Sequence, residues 1–358
     1  MIKEPALWDK DKAKAQTWYR KPICGCVCSD GDPYSITLKK GTANKLLVHF
    51  VGGGISWNEH TAAMPYSFWA MMNKKEAFYV SGIPRIMMDF MHVGILKADD
   101  LRNPFHDWHV VNIPYVTADF HIGSNDFHYK DAKGRSKELY HHGQKNTEAI
   151  LPTISELVGQ TPDALAIAGE SAGGFGCVAN CPKVASLYPD CDNIVVYSEA
   201  SHFHSPLWQN ITRDVWKISS DLAAYIKCDD LIVDLFRYAQ DHMPSHTMFL
   251  HSNSLYDRTL AQYMHKMNHG KMAINPQALN EFYETLISAV RLLKSEISNY
   301  SFYLTDYGKS QSDGATPHTF AGTPKLLYGD MQDGTSVAAW IRQALEGKRA
   351  DVGAKFVQ

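Results

Sequence analysis

Six short stretches of this chain are apolar almost without interruption, each bounded by Gly, Asn, Asp or Pro. They are 45–51 (KLLVHFV), 110–116 (VVNIPYV), 164–169 (ALAIAG), 193–198 (NIVVYS), 246–251 (HTMFLH) and 301–305 (SFYLT). A strand with one face in water alternates apolar and polar residues, whereas an unbroken apolar run marks a strand covered on both faces. Helical stretches lie between these runs. Residues 137–159 carry Leu139, Ile150, Ile154 and Leu157, and 172–188 follow directly after a strand. Residues 275–298 place Leu279, Phe282, Leu286, Val290 and Leu293 on one side, and a last helix is expected at about 335–345. Alternation of this kind predicts an α/β protein with a mostly parallel central sheet flanked by helices. No repeat, low-complexity tract or linker divides the 358 residues, so residues 1–358 are expected to form a single domain.

Two segments break the alternation. Residues 60–100 are rich in Met, Phe and Trp, as in Phe68-Trp69-Ala70-Met71-Met72 and Met87-Met88-Asp89-Phe90-Met91, and 206–244 read as several short helices. Both are expected to be helical cap insertions around an active site. Apolar residues at helical spacing also suit a plain core role.

The run ALAIAG leads straight into Gly169-Glu170-Ser171-Ala172-Gly173-Gly174, a G-x-S-x-G pattern lying between a strand and a helix. That context is what a nucleophile elbow requires: a sharp turn that lifts a serine hydroxyl above the sheet. Glycines on both sides let strand and helix approach closely. The helix N-terminus turns free N–H groups toward a reacting carbonyl.

A serine needs a base, and the base needs an orienting group. In this architecture the acid precedes the histidine, and both follow the serine. The loop after HTMFLH reaches Asp257, and the loop after SFYLT reaches His318. Both therefore fall beyond the carboxyl ends of successive strands, where ligands gather in open α/β sheets. Glu199, at the end of the strand after the serine, is the alternative acid. The expected oxyanion donors are the backbone amides of Ala172 and of Gly53 and Gly54, in the loop Gly52-Gly53-Gly54-Ile55-Ser56-Trp57 after the strand KLLVHFV. No Lys-Ser/Thr follows these glycines, which argues against a phosphate-binding loop. Trp57, Asp119 and Phe203 are candidate substrate-binding residues.

Net charge is −3 with mixed signs, so neither nucleic acid nor a membrane surface is an expected partner. The first residues lack an apolar segment and no run reaches the ~18 apolar residues of a membrane helix. A cytoplasmic protein is expected; a secreted chain freed of its signal peptide would read the same. The seven cysteines are odd in number, and the close-set Cys24, Cys26 and Cys28 do not match the usual spacing of zinc ligands. They are read as small buried thiols or a local disulfide. His141-His142 and His202-Phe203-His204 are read as surface or structural histidines, so no metal and no cofactor are expected.

With these motifs in hand, the chain resembles the pectin acetylesterase family, of α/β-hydrolase type, from about Cys28 to His318. The resemblance rests on Cys28-Ser29-Asp30-Gly31-Asp32-Pro33-Tyr34, the loop GGGISW, Asn103-Pro104-Phe105-His106-Asp107-Trp108 and Ile113-Pro114-Tyr115. It extends to the elbow, to Glu199-Ala200-Ser201-His202-Phe203, to Ser254-Leu255-Tyr256-Asp257 and to Thr316-Pro317-His318. It implies the same Ser171, Asp257 and His318. Val116 stands where the family has a cysteine, so the disulfides of extracellular members are not implied here. The expected activity is that of a serine carboxylesterase acting on O-acyl esters, acetyl or otherwise short, of a small molecule or carbohydrate. Two alternatives are a lipase-like esterase for longer chains, its acyl tunnel shaped by 60–100, and a catalytically silent carbohydrate- or lipid-binding protein on the same fold.

Overall fold

The computed structural model describes residues 5–67, 72, 76–85, 88, 91–131, 133–329 and 331–358. Most of the Met- and Trp-rich stretches, Phe68 to Met71 and Met87, Asp89 and Phe90, lie outside the described residues.

The strands are β1 (Ala6–Leu7), β2 (Trp18–Val27), β3 (Pro33–Lys39), β4 (Lys45–Phe50), β5 (His109–Ile113), β6 (Asn125–Lys130), β7 (Ser136–His141), β8 (Ala164–Glu170), β9 (Ile194–Glu199), β10 (Met248–Ser254) and β11 (Tyr300–Thr305). Nine of them form one sheet in the order β1-β2-β3-β5-β4-β8-β9-β10-β11, while β6 and β7 pair as a separate hairpin. From β5 to β11 every pairing is parallel. β3 runs antiparallel to both β2 and β5. The six apolar runs are the six parallel strands, and the α/β-hydrolase-like class expected from the sequence is the one observed.

Both faces of the sheet are covered, as unbroken apolar strands demand. Leu46, Val48, Phe50, Leu165 and Ile167 face one core, with the helices Gly143–Val158, Ala172–Ala185, Leu231–His242 and Pro276–Glu296. Leu47, Ala164, Ala166, Ala168 and Tyr197 face the other, where Phe105, Trp108 and Trp340 of the helix Val337–Leu345 cover the sheet. The alternation follows from the two-residue period of a strand. No helix among the described residues is long and apolar enough to cross a membrane.

The structure differs from the expected elements in one place. The helix expected over 137–159 starts only at Gly143, and Leu139 sits in β7, paired with Phe127 of β6. The segment 206–244 is indeed several short helices. Its longest, Leu231–His242, packs against the helix Ala172–Ala185. Its buried face (Leu231, Ile232, Leu235, Phe236) belongs to the core beneath the sheet.

Candidate active site

Strand order reverses around β4: β5 lies on one side of it, and the next strand of the sheet, β8, lies on the other. A crevice opens beyond the carboxyl ends of the strands at such a point. Here a cavity of about 300 Å³ lies against the glycine loop after β4, Ser171 after β8, Phe203 after β9 and His318 after β11.

Ser171 has φ 56° and ψ −124°, a left-handed conformation for a residue with a side chain. The glycines around it are required by space. A Cβ at Gly169 would lie 2.1 Å from the Gly173 carbonyl oxygen, and one at Gly173 would lie 2.0 Å from that of Phe50. The turn is pinned by the Ser171 amide donating to the Glu199 carbonyl at 2.8 Å.

His318 and Asp257 are carried on two loops zipped together. The Thr316 amide donates to the Tyr256 carbonyl at 2.8 Å, and the Arg258 amide to the Thr316 carbonyl at 3.2 Å. The result is a hydrogen-bonded chain: Ser171 Oγ lies 2.9 Å from His318 Nε2, and His318 Nδ1 lies 2.7 Å from Asp257 Oδ2. The other Asp257 oxygen accepts from the Leu260 amide at 2.9 Å, capping the helix Arg258–His269. Asp257 is buried, whereas His318 keeps 22% of its side chain exposed, toward the cavity.

Burial disfavours a charged His318, but the Asp257 carboxylate outweighs it, with Glu199 and Glu170 adding in the same sense. The net effect raises the imidazole pKa above its ordinary 6.5. A base must be neutral to accept a proton, so activity is lost as pH falls through this raised pKa. The acid limb of the pH profile of kcat/KM is expected to have its midpoint above 6.5. Removing the Asp257 charge should move that midpoint down.

The amides of Gly53, Gly54 and Ala172 line the same cavity, and among the described residues they donate to no protein acceptor. Gly54, at φ +86°, bridges to Tyr79 and so holds the loop against the chain at 78–80. Glu170, the unconstrained residue of the G-x-S-x-G pattern, joins this arrangement. Its carboxylate pairs with the buried His49 at 2.6 Å and accepts the Gly52 amide at 3.4 Å. Burial works against a charged His49, yet Glu170 brings its pKa out above the ordinary value. His49 Nδ1 meets Asn112 Oδ1 at 2.9 Å, tying the pair to β5.

Glu199 makes no contact with the imidazole. Its carboxylate takes the Phe320 amide, the Ala321 amide at 3.0 Å and the Tyr197 hydroxyl at 2.7 Å. It thereby clamps the chain just after His318. Burial pushes its pKa up to about 7. Glu199→Gln puts an NH₂ group among these donors. The expected cost is about 2 kcal/mol, the scale of hydrogen bonds to a charged group, read from the urea midpoint at constant m-value. A fall in kcat should accompany it as the His318 loop loosens.

The three candidate substrate-binding residues separate. Phe203 is in the cavity wall. Trp57 is buried edge-on against Phe78, at 5.2 Å between ring centres, and is not in the wall. Asp119 is also buried outside it, accepting from Thr117 Oγ1 at 2.6 Å, the His121 amide at 3.1 Å and the Gly143 amide at 2.8 Å. It holds a turn in which Ala118, Phe120 and His121 all have positive φ, a strained path that persists only when its surroundings over-determine it. That turn delivers Phe120 to the cavity, stacked on Phe175 at 4.2 Å. Ile55, Leu260, Tyr66 and Tyr263 complete an apolar wall with a hydroxyl rim. Among these wall residues, Phe175 stands four places after the serine and so faces the cavity from the same helix, a spacing readable from sequence; Leu260 and Tyr263 come from the helix Arg258–His269, and the others are brought in by loops. No residue of 206–244 lines the cavity.

The cysteines are all free thiols, with Cys26 and Cys28 buried and Cys24 exposed. His141 contacts the Thr117 carbonyl, and His202 is buried against Asp230 and Thr285.

The fold is similar to that of the Wnt deacylase Notum from Drosophila. Two crystal forms align over 93% of this chain and 94% of that one, with TM-scores of 0.63 and 0.64 at 16% identity. No curated protein sequence matches the chain significantly. The pectinacetylesterase family model does match, over residues 12–229, a span that holds the glycine loop, the elbow and Glu199. By that match, which covers more than half of its length, the chain belongs to the pectinacetylesterase family and is a carboxylic ester hydrolase.

Proposed function

We propose that the protein is a serine carboxylesterase that removes acetyl or other short O-acyl groups from a small-molecule or carbohydrate alcohol, with Ser171, His318 and Asp257 as its triad. The observation that carries this reading is the hydrogen-bonded chain Ser171–His318–Asp257 at the wall of an apolar cavity. His318 Nε2 takes the hydroxyl proton as Ser171 Oγ attacks the ester carbonyl. Asp257 holds the imidazole tautomer and stabilises the imidazolium. The amides of Gly53, Gly54 and Ala172 receive the oxyanion. His318 then protonates the departing alcohol, and in the second half it activates the water that releases the acid from Ser171. The proton that leaves with the alcohol comes from Ser171, and the hydrolytic water replaces it through His318 as the acid departs.

A second reading has a specific observation behind it. The apolar wall of Phe120, Phe175, Phe203 and Leu260 and a volume of about 300 Å³ offer more than an acetyl group fills. The Drosophila protein of similar fold is a Wnt deacylase, which fits removal of an acyl group without fixing its length. Each buried methylene adds about 0.8 kcal/mol of transfer free energy, or roughly fourfold in kcat/KM while space lasts. Hydrolysis of p-nitrophenyl esters from acetyl to decanoyl separates the readings. A maximum at acetyl to butyryl supports the short-chain esterase. A rise continuing through octanoyl supports the long-chain reading. No turnover of any ester would count against both.

A further inference from the structure

The helix Arg258–His269 and the helix Pro276–Glu296 form a hairpin joined by a short turn, with Gly270 in the left-handed conformation closing the first helix. His265 and His269 are one turn apart and so share a face, and Glu281 approaches that face from the second helix. One ligand-capable atom from each of the three lies within 4.8 Å of the others. His269 Nε2 and Glu281 Oε2 are already 3.0 Å apart. His265 is only 6% exposed, yet its Nδ1 has no hydrogen-bond partner. A buried imidazole nitrogen without a partner is costly in a native interior and calls for an explanation such as an ion.

We propose that His265, His269 and Glu281 bind a divalent transition-metal cation of the zinc class, clipping the helical hairpin together. Two imidazoles and one carboxylate are ligands suited to zinc rather than to magnesium or calcium. Tetrahedral bonds of about 2.0–2.1 Å place ligand atoms roughly 3.3 Å apart, so His269 and Glu281 need almost no movement, and the His265 ligand atom starts within 4.8 Å of both. The fourth position faces solvent, since 42% of the His269 side chain is exposed. The site's role is structural. Asp257 caps the opposite end of the same helix, roughly 12–18 Å away at 1.5 Å per residue, too far for the metal to touch the reacting atoms. His265-Lys266-Met267-Asn268-His269 lacks the Glu of the peptidase pattern, and its third ligand comes from another helix, so no linear motif exposes it.

The test uses the full chain, stripped with EDTA and dialysed. Zinc chloride should bind with one-to-one stoichiometry by calorimetry and raise Tm by about 3 °C or more at a hundredfold excess over Kd; magnesium chloride should do neither. His269→Ala and Glu281→Gln, both at partly exposed positions, should each keep the metal-free Tm within about 2 °C of wild type and lose the zinc-dependent rise. An equal rise in wild type and both variants would overturn the proposal by placing zinc elsewhere, as on the exposed Cys24 thiol. Absence of any rise in wild type would overturn it outright.

Discussion

Ser171→Ala is expected to lower kcat by about 10⁴-fold or more without unfolding the protein. Only Oγ is lost. The turn, its glycines and the amides of Gly53, Gly54 and Ala172 are untouched, so the residual rate measures what these donors and the cavity contribute alone. Because the three side chains act as a unit, Ser171→Ala combined with His318→Ala should be scarcely worse than either alone. Stability separates chemistry from folding. Ser171 holds φ at 56°, a strain of about 1–3 kcal/mol for a residue with a Cβ. Ser171→Gly should therefore be as inactive as the alanine variant but melt higher. An active Ser171→Ala protein, with turnover within tenfold of wild type, would remove the serine from the reaction.

Asp257→Asn should cost about 10⁴-fold in kcat for a different reason. Asparagine nearly preserves the shape, and its side-chain oxygen can still cap the helix Arg258–His269 through the Leu260 amide. Stability should change little. What changes is the partner of His318 Nδ1: an amide can present an N–H there, favouring the tautomer whose Nε2 carries the proton and cannot accept one from Ser171. The lost carboxylate also lowers the imidazole pKa, so the acid limb of the pH profile shifts down even as the plateau falls. Asp257→Ala loses the helix cap as well and should be destabilised by about 1 kcal/mol. Steady-state kinetics beside urea unfolding distinguishes the two variants.

The parts of this molecule that the sequence makes legible are those where one physical requirement dominates. β4, β5, β8, β9, β10 and β11 are covered on both faces, so they must be apolar throughout, and the elbow must be glycine-rich where strand meets helix. The extension β1–β3 is opaque because β2 mixes Arg20, Lys21 and Pro22 with apolar residues, and its burial is uneven. Leu139 misleads because Ser-Lys-Glu-Leu is rich in helix formers, while pairing with β6 overrides local propensity in an exposed hairpin. Within the site, chain order alone points to Asp257 and His318 and leaves Glu199 open as the acid. Its position at the end of β9 is equally compatible with the His318-loop clamp that the structure displays. Glu170 is invisible beforehand, because the second position of the pattern is free and its partner His49 lies on another strand. Asp119 reads as a pocket residue, whereas its three hydrogen bonds spend it on the turn that carries Phe120.

The central claim is that ester cleavage passes through a covalent bond to Ser171. Intact-mass analysis after treatment with an alkyl fluorophosphonate tests it most directly, with the labelled peptide then sequenced. The account predicts one adduct per chain, on the peptide carrying Ser171, formed in parallel with loss of esterase activity and absent from Ser171→Ala. Complete inactivation with the adduct on another residue, or full esterase activity in the Ser171→Ala protein, would contradict it.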